Sequence, residues 1–194
     1  QIIHFSTDYV YHSHQNTAYR ETDSTHPQGV YAATKLEGEK LLQKVHPNAM
    51  IIRTSWVYSV FGHNFVKTML RLGKEREELG IVCDQIGTPT NARDLAHAIL
   101  QIISNIESGD LDRSALKGIF NYSNEGVCSW YDFAQAIFDI SGINCKVKPI
   151  ESKDYPTPAK RPPFSVLNKH KFKSTFNIEI PHWRESLKMF FEHS

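Results

Sequence analysis

Cysteine is scarce in this 194-residue chain: Cys83, Cys128 and Cys145 form no CxxC pair and are too scattered for a disulfide scaffold or a thiolate zinc site. An excess of one charge is missing too. The 22 Lys and Arg and 21 Asp and Glu are mixed along the chain, which argues against a nucleic-acid or anionic-membrane partner. No stretch approaches the roughly 20 apolar residues of a spanning helix, and no basic segment leads into an apolar run with a cleavage site. Together these absences predict a soluble protein of a reducing cytoplasm. His4, His12, His14 and His26 lack the short spacing of a metal-binding set, so no protein-bound metal is expected from them.

What is present suits a globular α/β chain. A hydrophobic content of 40% is enough for one substantial core or two small ones. Gln1-Ile2-Ile3-His4-Phe5 reads as a buried strand with polar Ser6-Thr7-Asp8 at its carboxyl end. Val30 to Val45 has helical spacing, with Ala33, Leu36, Leu41 and Leu42 as its apolar stripe. Strands are predicted at 49–54, 79–83, 118–122 and 146–150. A helix is expected around Phe65, Met69, Leu70 and Leu72, and another after the cap Asn91, with Leu95, Ala98, Ile99, Ile102 and Ile103 inward. Ser129 to Asp132 has capping-box spacing ahead of Phe133, Ala136, Ile137 and Ile140, and Gly142 stops that helix. Pro156, Pro158, Pro162 and Pro163 enforce an irregular segment, and Pro181 suits the first turn of a last helix carrying Trp183, Leu187 and Phe190.

Tyr31 and Lys35, four apart near a helix start, fall on one helix face and can reach one pocket. A phenol can donate a proton to a carbonyl oxygen that becomes an alcohol if a nearby ammonium lowers the cost of its anion. Tyr31 is the candidate donor, Lys35 its electrostatic helper, and Thr7 a hydroxyl that orients the substrate oxygen. A Tyr-to-Lys interval alone is commonly an ordinary surface helix. Asp8 and Tyr9 can bind substrate hydroxyls or else cap a loop and fill a core, and Trp56 can stack on a sugar or simply be buried. Asp84 can cap a turn, Gly87 can relieve a backbone constraint, and Arg161 can be solvated.

Three ordered segments narrow these choices: Ser6-Thr7-Asp8-Tyr9-Val10-Tyr11, Tyr31-Ala32-Ala33-Thr34-Lys35-Leu36-Glu37-Gly38-Glu39 and Arg53-Thr54-Ser55-Trp56-Val57-Tyr58. With Asp84-Gln85-Ile86-Gly87-Thr88-Pro89-Thr90 and the run from Arg161-Pro162 to Ser165 and Leu167, the chain resembles the dTDP-4-dehydrorhamnose reductases, extended short-chain dehydrogenase/reductases. The resemblance implies reduction of the 4-keto group of dTDP-6-deoxy-L-lyxo-4-hexulose by NADPH or NADH, giving dTDP-L-rhamnose for bacterial surface polysaccharides. It implies Thr7, Tyr31 and Lys35 as the catalytic trio, with Ser6, Tyr31, Lys35, Thr54 and Ser55 at the cofactor. Thr7, Asp8, Tyr9, Trp56, Asp84, Gln85 and Arg161 then face the sugar nucleotide. A family Mg²⁺ at a dimer contact has no assigned residues here, and a homodimer is implied only for the full-length parent. His12-Ser13 follows Tyr11 where the family often has Asp-Gly, so the loop through Asp23 is expected to differ.

The resemblance implies a partial doubly wound Rossmann-like parallel sheet in residues 1–120, with crossings, and mainly a small α/β substrate domain in 121–194. A dinucleotide-binding half normally opens on a strand, a glycine-rich turn and a helix, and Gly29, Gly38 and Gly62 cannot replace that turn. The resemblance implies that about a hundred preceding residues are absent, and weak cofactor binding by the chain alone is expected. Two other functions share these motifs: a non-catalytic regulatory subunit, as in methionine adenosyltransferase, and a sugar-nucleotide epimerase or dehydratase that retains its NAD.

Overall fold

The computed structural model describes residues 1–13, 15–157 and 161–192, so His14 and Pro158 lie outside the described residues. Along the chain run β1 (Ile3–Thr7), α1 (Gly29–Val45), β2 (Met50–Thr54), β3 (Val57–Tyr58), α2 (Phe65–Glu75), β4 (Glu78–Val82), β5 (Ile86–Gly87) and β6 (Thr90–Asn91). Then follow α3 (Ala92–Ser108), β7 (Gly118–Tyr122), β8 (Cys128–Ser129), α4 (Trp130–Ser141), β9 (Lys146–Ile150), α5 (His170–Phe176) and α6 (Trp183–Glu192).

β2 is the middle strand of a parallel sheet ordered β1-β2-β7 and is buried at all five positions. Such a run is what a strand covered on both faces requires. Met50 and Ile52 pack with Leu95 and Ile102 of α3 and Phe172 of α5, whereas Arg53 reaches Glu39 on α1. Helices thus cover both faces, giving the doubly wound, Rossmann-like arrangement. The outer edge of β1 pairs with no strand among the described residues, and Phe5 on it remains 46% exposed.

A second core forms where α2, α4 and α6 pack with the parallel pair β4 and β9. Phe133, Ile137 and Leu187 are fully buried there, each contributing about 1.5–3 kcal/mol of transfer free energy. Gly73 permits the close approach of α2 to α4, since a Cβ on it would lie 2.5 Å from Phe138. The two cores alternate in sequence: residues 58–79, 128–147 and 183–190 supply this one, and residues 50–52, 95–122 and 172–180 the other.

Several expectations change in detail. On α1 Leu36 is buried, but Ala33 and Leu41 are exposed, because the helix packs inward through Ala32, Leu36 and Glu39. Pro181 lies outside α6; its carbonyl accepts the Glu125 amide at 2.9 Å, and the His182 carbonyl receives the Ser186 amide to start the helix. Ile103 sits at the exposed margin of the α3 stripe. α5 has no counterpart among the expected elements. The expected capping box at Ser129 and Asp132 is present, and Gly142 ends α4 in the left-handed region at φ 68°.

Candidate active site

The parallel register brings Thr7, Thr54 and Tyr122 level at the carboxyl ends of β1, β2 and β7. In open parallel sheets that edge is where ligands bind. Thr7 caps a single 3-10 turn, Asp8–Val10: its Oγ1 accepts the Tyr9 amide at 3.2 Å and donates to Asp8 Oδ1 at 3.2 Å. Asp8 is only 2% exposed. Burial pushes its carboxyl up to about 7, and polar contacts with Ser165, Thr7 and two backbone amides only partly oppose that rise. Its Oδ2 has no well-formed hydrogen bond among the described residues.

Tyr31 lies in the first turn of α1 and is 59% exposed, edge-on to Tyr9 with ring centroids 6.2 Å apart. Burial raises the Tyr9 phenol above its ordinary value; Asp8 adds to the rise and Arg161 opposes it. Lys35 lies one turn beyond Tyr31 and donates to the Phe5 carbonyl at 2.6 Å. The ammonium has two further protons to offer. A turn later Glu39 completes the face: it accepts Arg53 Nε at 3.0 Å and Nη2 at 2.6 Å, and also receives the Ser6 hydroxyl. Arg53 Nη1 donates to the Tyr11 hydroxyl at 2.6 Å. α1 is thus pinned to both β1 and β2 beneath the site.

The other expected cofactor residues share this edge but are engaged internally. Ser55 Oγ donates to the Thr88 carbonyl at 2.7 Å and Thr54 Oγ1 to Thr90 Oγ1 at 3.4 Å. Trp56 follows them with φ 46°, a left-handed backbone that costs a bulky residue about 1–2 kcal/mol. Its ring stacks on Trp130, with centroids 3.6 Å apart and planes 11° from parallel.

Asp84 stands apart from this group. Both its carboxylate oxygens accept the Ser152 amide at 3.0 Å, and Oδ1 accepts the Ser152 hydroxyl at 2.7 Å. Slight burial would raise its pKa, but these Ser152 bonds outweigh it and hold the group below the ordinary carboxylate value. Gln85 also donates to Ser152 Oγ, at 2.8 Å. Gln85 and exposed Arg161 nonetheless line a cavity of about 330 Å³ with Phe65, Trp130 and Tyr155. A larger cavity of about 490 Å³, beside Phe61, Arg93 and Met189, contains none of the expected site residues. Sequence reasoning missed Glu39, Trp130 and the contact of Ser165 with Asp8. Glu39 continues the Tyr31-Lys35 spacing and Ser165 sits in a recognised segment, but Trp130 carried no signal beyond its place after a cap.

A parallel sheet wound on both faces, with tyrosine, lysine and threonine at its carboxyl edge, defines a Rossmann-like α/β protein. The chain belongs to the RmlD substrate binding domain family, whose model matches residues 1–194. It is 44% identical over 194 residues to the dTDP-4-dehydrorhamnose reductase of Aggregatibacter actinomycetemcomitans, covering 96% of this chain and 65% of that protein. The crystal structure of a Clostridium acetobutylicum dTDP-4-dehydrorhamnose reductase superposes with TM-score 0.90 at 41% identity, over 100% of this chain and 65% of that one. The Bacillus anthracis dTDP-4-dehydrorhamnose reductase in complex with NADP gives TM-score 0.90 at 37% identity, over 99% and 65%. The chain therefore spans a little under two thirds of the length of these relatives.

Proposed function

We propose that the complete protein reduces the 4-keto group of dTDP-6-deoxy-L-lyxo-4-hexulose to dTDP-L-rhamnose, using NADPH or NADH. The observation that carries this reading is the exposed Tyr31 phenol edge-on to Tyr9, whose amide Thr7 caps, with Lys35 one turn along the same helix. The donor set fits the nicotinamide ribose: Tyr31 is open and the Lys35 ammonium has unused protons. When bound, the dinucleotide supplies the hydride that reaches C4 of the sugar. Tyr31 gives its phenolic proton to the ketone oxygen, and Lys35 lowers the cost of the resulting phenolate. Thr7 holds that oxygen, while Asp8, Tyr9 and Trp56 surround the sugar. Gln85 and Arg161 face the nucleotide from their cavity, with Asp84 contributing through the Ser152 turn it caps.

The same proposal assigns most of the sheet and the reacting groups to residues 1–120 and the small substrate domain mainly to 121–194, with Tyr58–Leu79 and Phe172–Ile180 crossing between the two cores. A cytoplasmic location belongs to it as well: the three cysteines are unpaired thiols, and no helix among the described residues is long and apolar enough to cross a membrane. The test is turnover of the dTDP-4-keto sugar by the complete protein while NADPH absorbance is followed. One NADPH oxidised per alcohol formed is expected. Conversion of the sugar without net NADPH oxidation would assign an epimerase or dehydratase, and failure to bind a dinucleotide would favour the regulatory reading.

A further inference from the structure

We propose that Trp130 and Gly87 are positioning residues that hold the Trp56 indole as a fixed wall against the sugar ring, an inference that rests on the sugar-nucleotide reading above. Trp56 leaves β2 with a left-handed backbone, so its ring direction depends on what packs around it. Trp130 stacks on that ring, and Phe65 packs at 4.6 Å against Trp130. Gly87 supplies a second constraint, because a Cβ there would lie 2.7 Å from Trp56 Cε2 and Cζ2, and 2.9 Å from Ser165 Oγ. Any side chain at position 87 must move the indole or Ser165.

Both constraints come from one short ribbon. β5 pairs antiparallel with β8, Gly87 opposite Cys128 and Ile86 opposite Ser129, and Trp130 follows directly as the first residue of α4. The Ser129–Asp132 capping box fixes the start of that helix and so the place of Trp130. The wall also belongs to the site: Ser165, which Gly87 approaches, contacts buried Asp8 beside Thr7. Trp130 in turn borders the cavity that holds Gln85 and Arg161. The stacked Trp56–Trp130 pair therefore reaches from the Ser165 side of the site to the cavity of Gln85 and Arg161.

The test compares Gly87→Ala, Trp130→Leu and Trp130→Phe in the complete protein. Trp130→Leu and Gly87→Ala should raise KM for the keto-sugar nucleotide by about tenfold, with KM for NADPH held within about twofold. Trp130→Phe, which keeps a flat ring, should restore most of that KM. The far-ultraviolet exciton couplet expected of two stacked indoles should disappear in both Trp130 variants. Calorimetry with dTDP and dTDP-L-rhamnose separates the sugar from the nucleotide: Gly87→Ala should keep its affinity for dTDP and lose the extra affinity that rhamnose confers. Trp130→Leu should weaken both ligands.

Unchanged sugar KM in Trp130→Leu, or a parallel loss for sugar nucleotide and NADPH, would overturn the assignment. If Gly87→Ala does not fold, the two Trp130 variants still decide it. If the wild-type protein fails to reduce the ketone but binds dTDP-L-rhamnose more tightly than dTDP, the reductase reading falls and the calorimetric comparison still judges the wall. Binding of neither ligand removes both.

Discussion

Tyr31 and Asp8 have opposite surroundings within a few residues of one another in space, and each makes its own prediction. Tyr31 is exposed and keeps its ring against Tyr9. Tyr31→Phe in the complete protein should therefore preserve folding and much of the ligand binding while slowing single-turnover reduction about a hundredfold to ten-thousandfold. A near-normal rate with both ligands saturating would remove it as proton donor. Asp8, by contrast, is protonated more readily in the folded chain, at about 7, than its ordinary value of 3.8. The stability this confers is fully present below the unfolded value and is lost as pH rises through about 7. The separation corresponds to on the order of 4 kcal/mol across the window. Asp8→Asn should flatten that part of the profile in urea unfolding at pH 5 and pH 8. Parallel profiles for the two proteins would show that the buried carboxyl is not the group responsible.

At the scale of elements, α1 is held by one buried ion pair. Glu39 and Arg53 are 1% and 2% exposed, so removing either leaves an uncompensated charge. Glu39→Ala should cost about 3–5 kcal/mol, and replacing both partners by apolar residues should cost much less. A double-mutant cycle in urea measures the difference, and simple additivity would show that the pair is not the anchor. Much at this scale was legible from sequence: β7 and β9 have the bounds expected of them, and the cap at Ser129 and stop at Gly142 announce α4. The two-residue strands β3, β5, β6 and β8 were not, since two residues carry no periodicity. The site divides in the same way. Thr7, Tyr31 and Lys35 were readable because they lie in ordered segments, whereas the Lys35 bond to Phe5 and the Trp130 stack depend on elements meeting in space. The α1 stripe misled because apolar spacing does not say which positions find a partner: Leu41 has the spacing and stays exposed.

Over the whole molecule, the proposed reacting groups and the proposed cofactor grip are unequally represented. The chain carries Tyr31 and Lys35 but no glycine-rich strand-turn-helix to seat a pyrophosphate. Calorimetry on the folded 194-residue chain should show NADPH binding much weaker than micromolar, with tight binding only in the complete protein. Micromolar affinity in this chain would mean that the ribose contacts suffice. The sheet adds a gradient of its own. β2 is flanked by a strand on each side, whereas β1 and β7 each pair on one side only among the described residues. Backbone protons in β2 should therefore resist replacement by deuterium longest, and those along the outer edges of β1 and β7 should exchange sooner. Because β1 ends in Thr7, the residue proposed to orient the ketone is mounted on an edge strand of that sheet. Whatever pairs with that edge would quiet its breathing, turning a contact made far from the sugar into a steadier hydroxyl beside it.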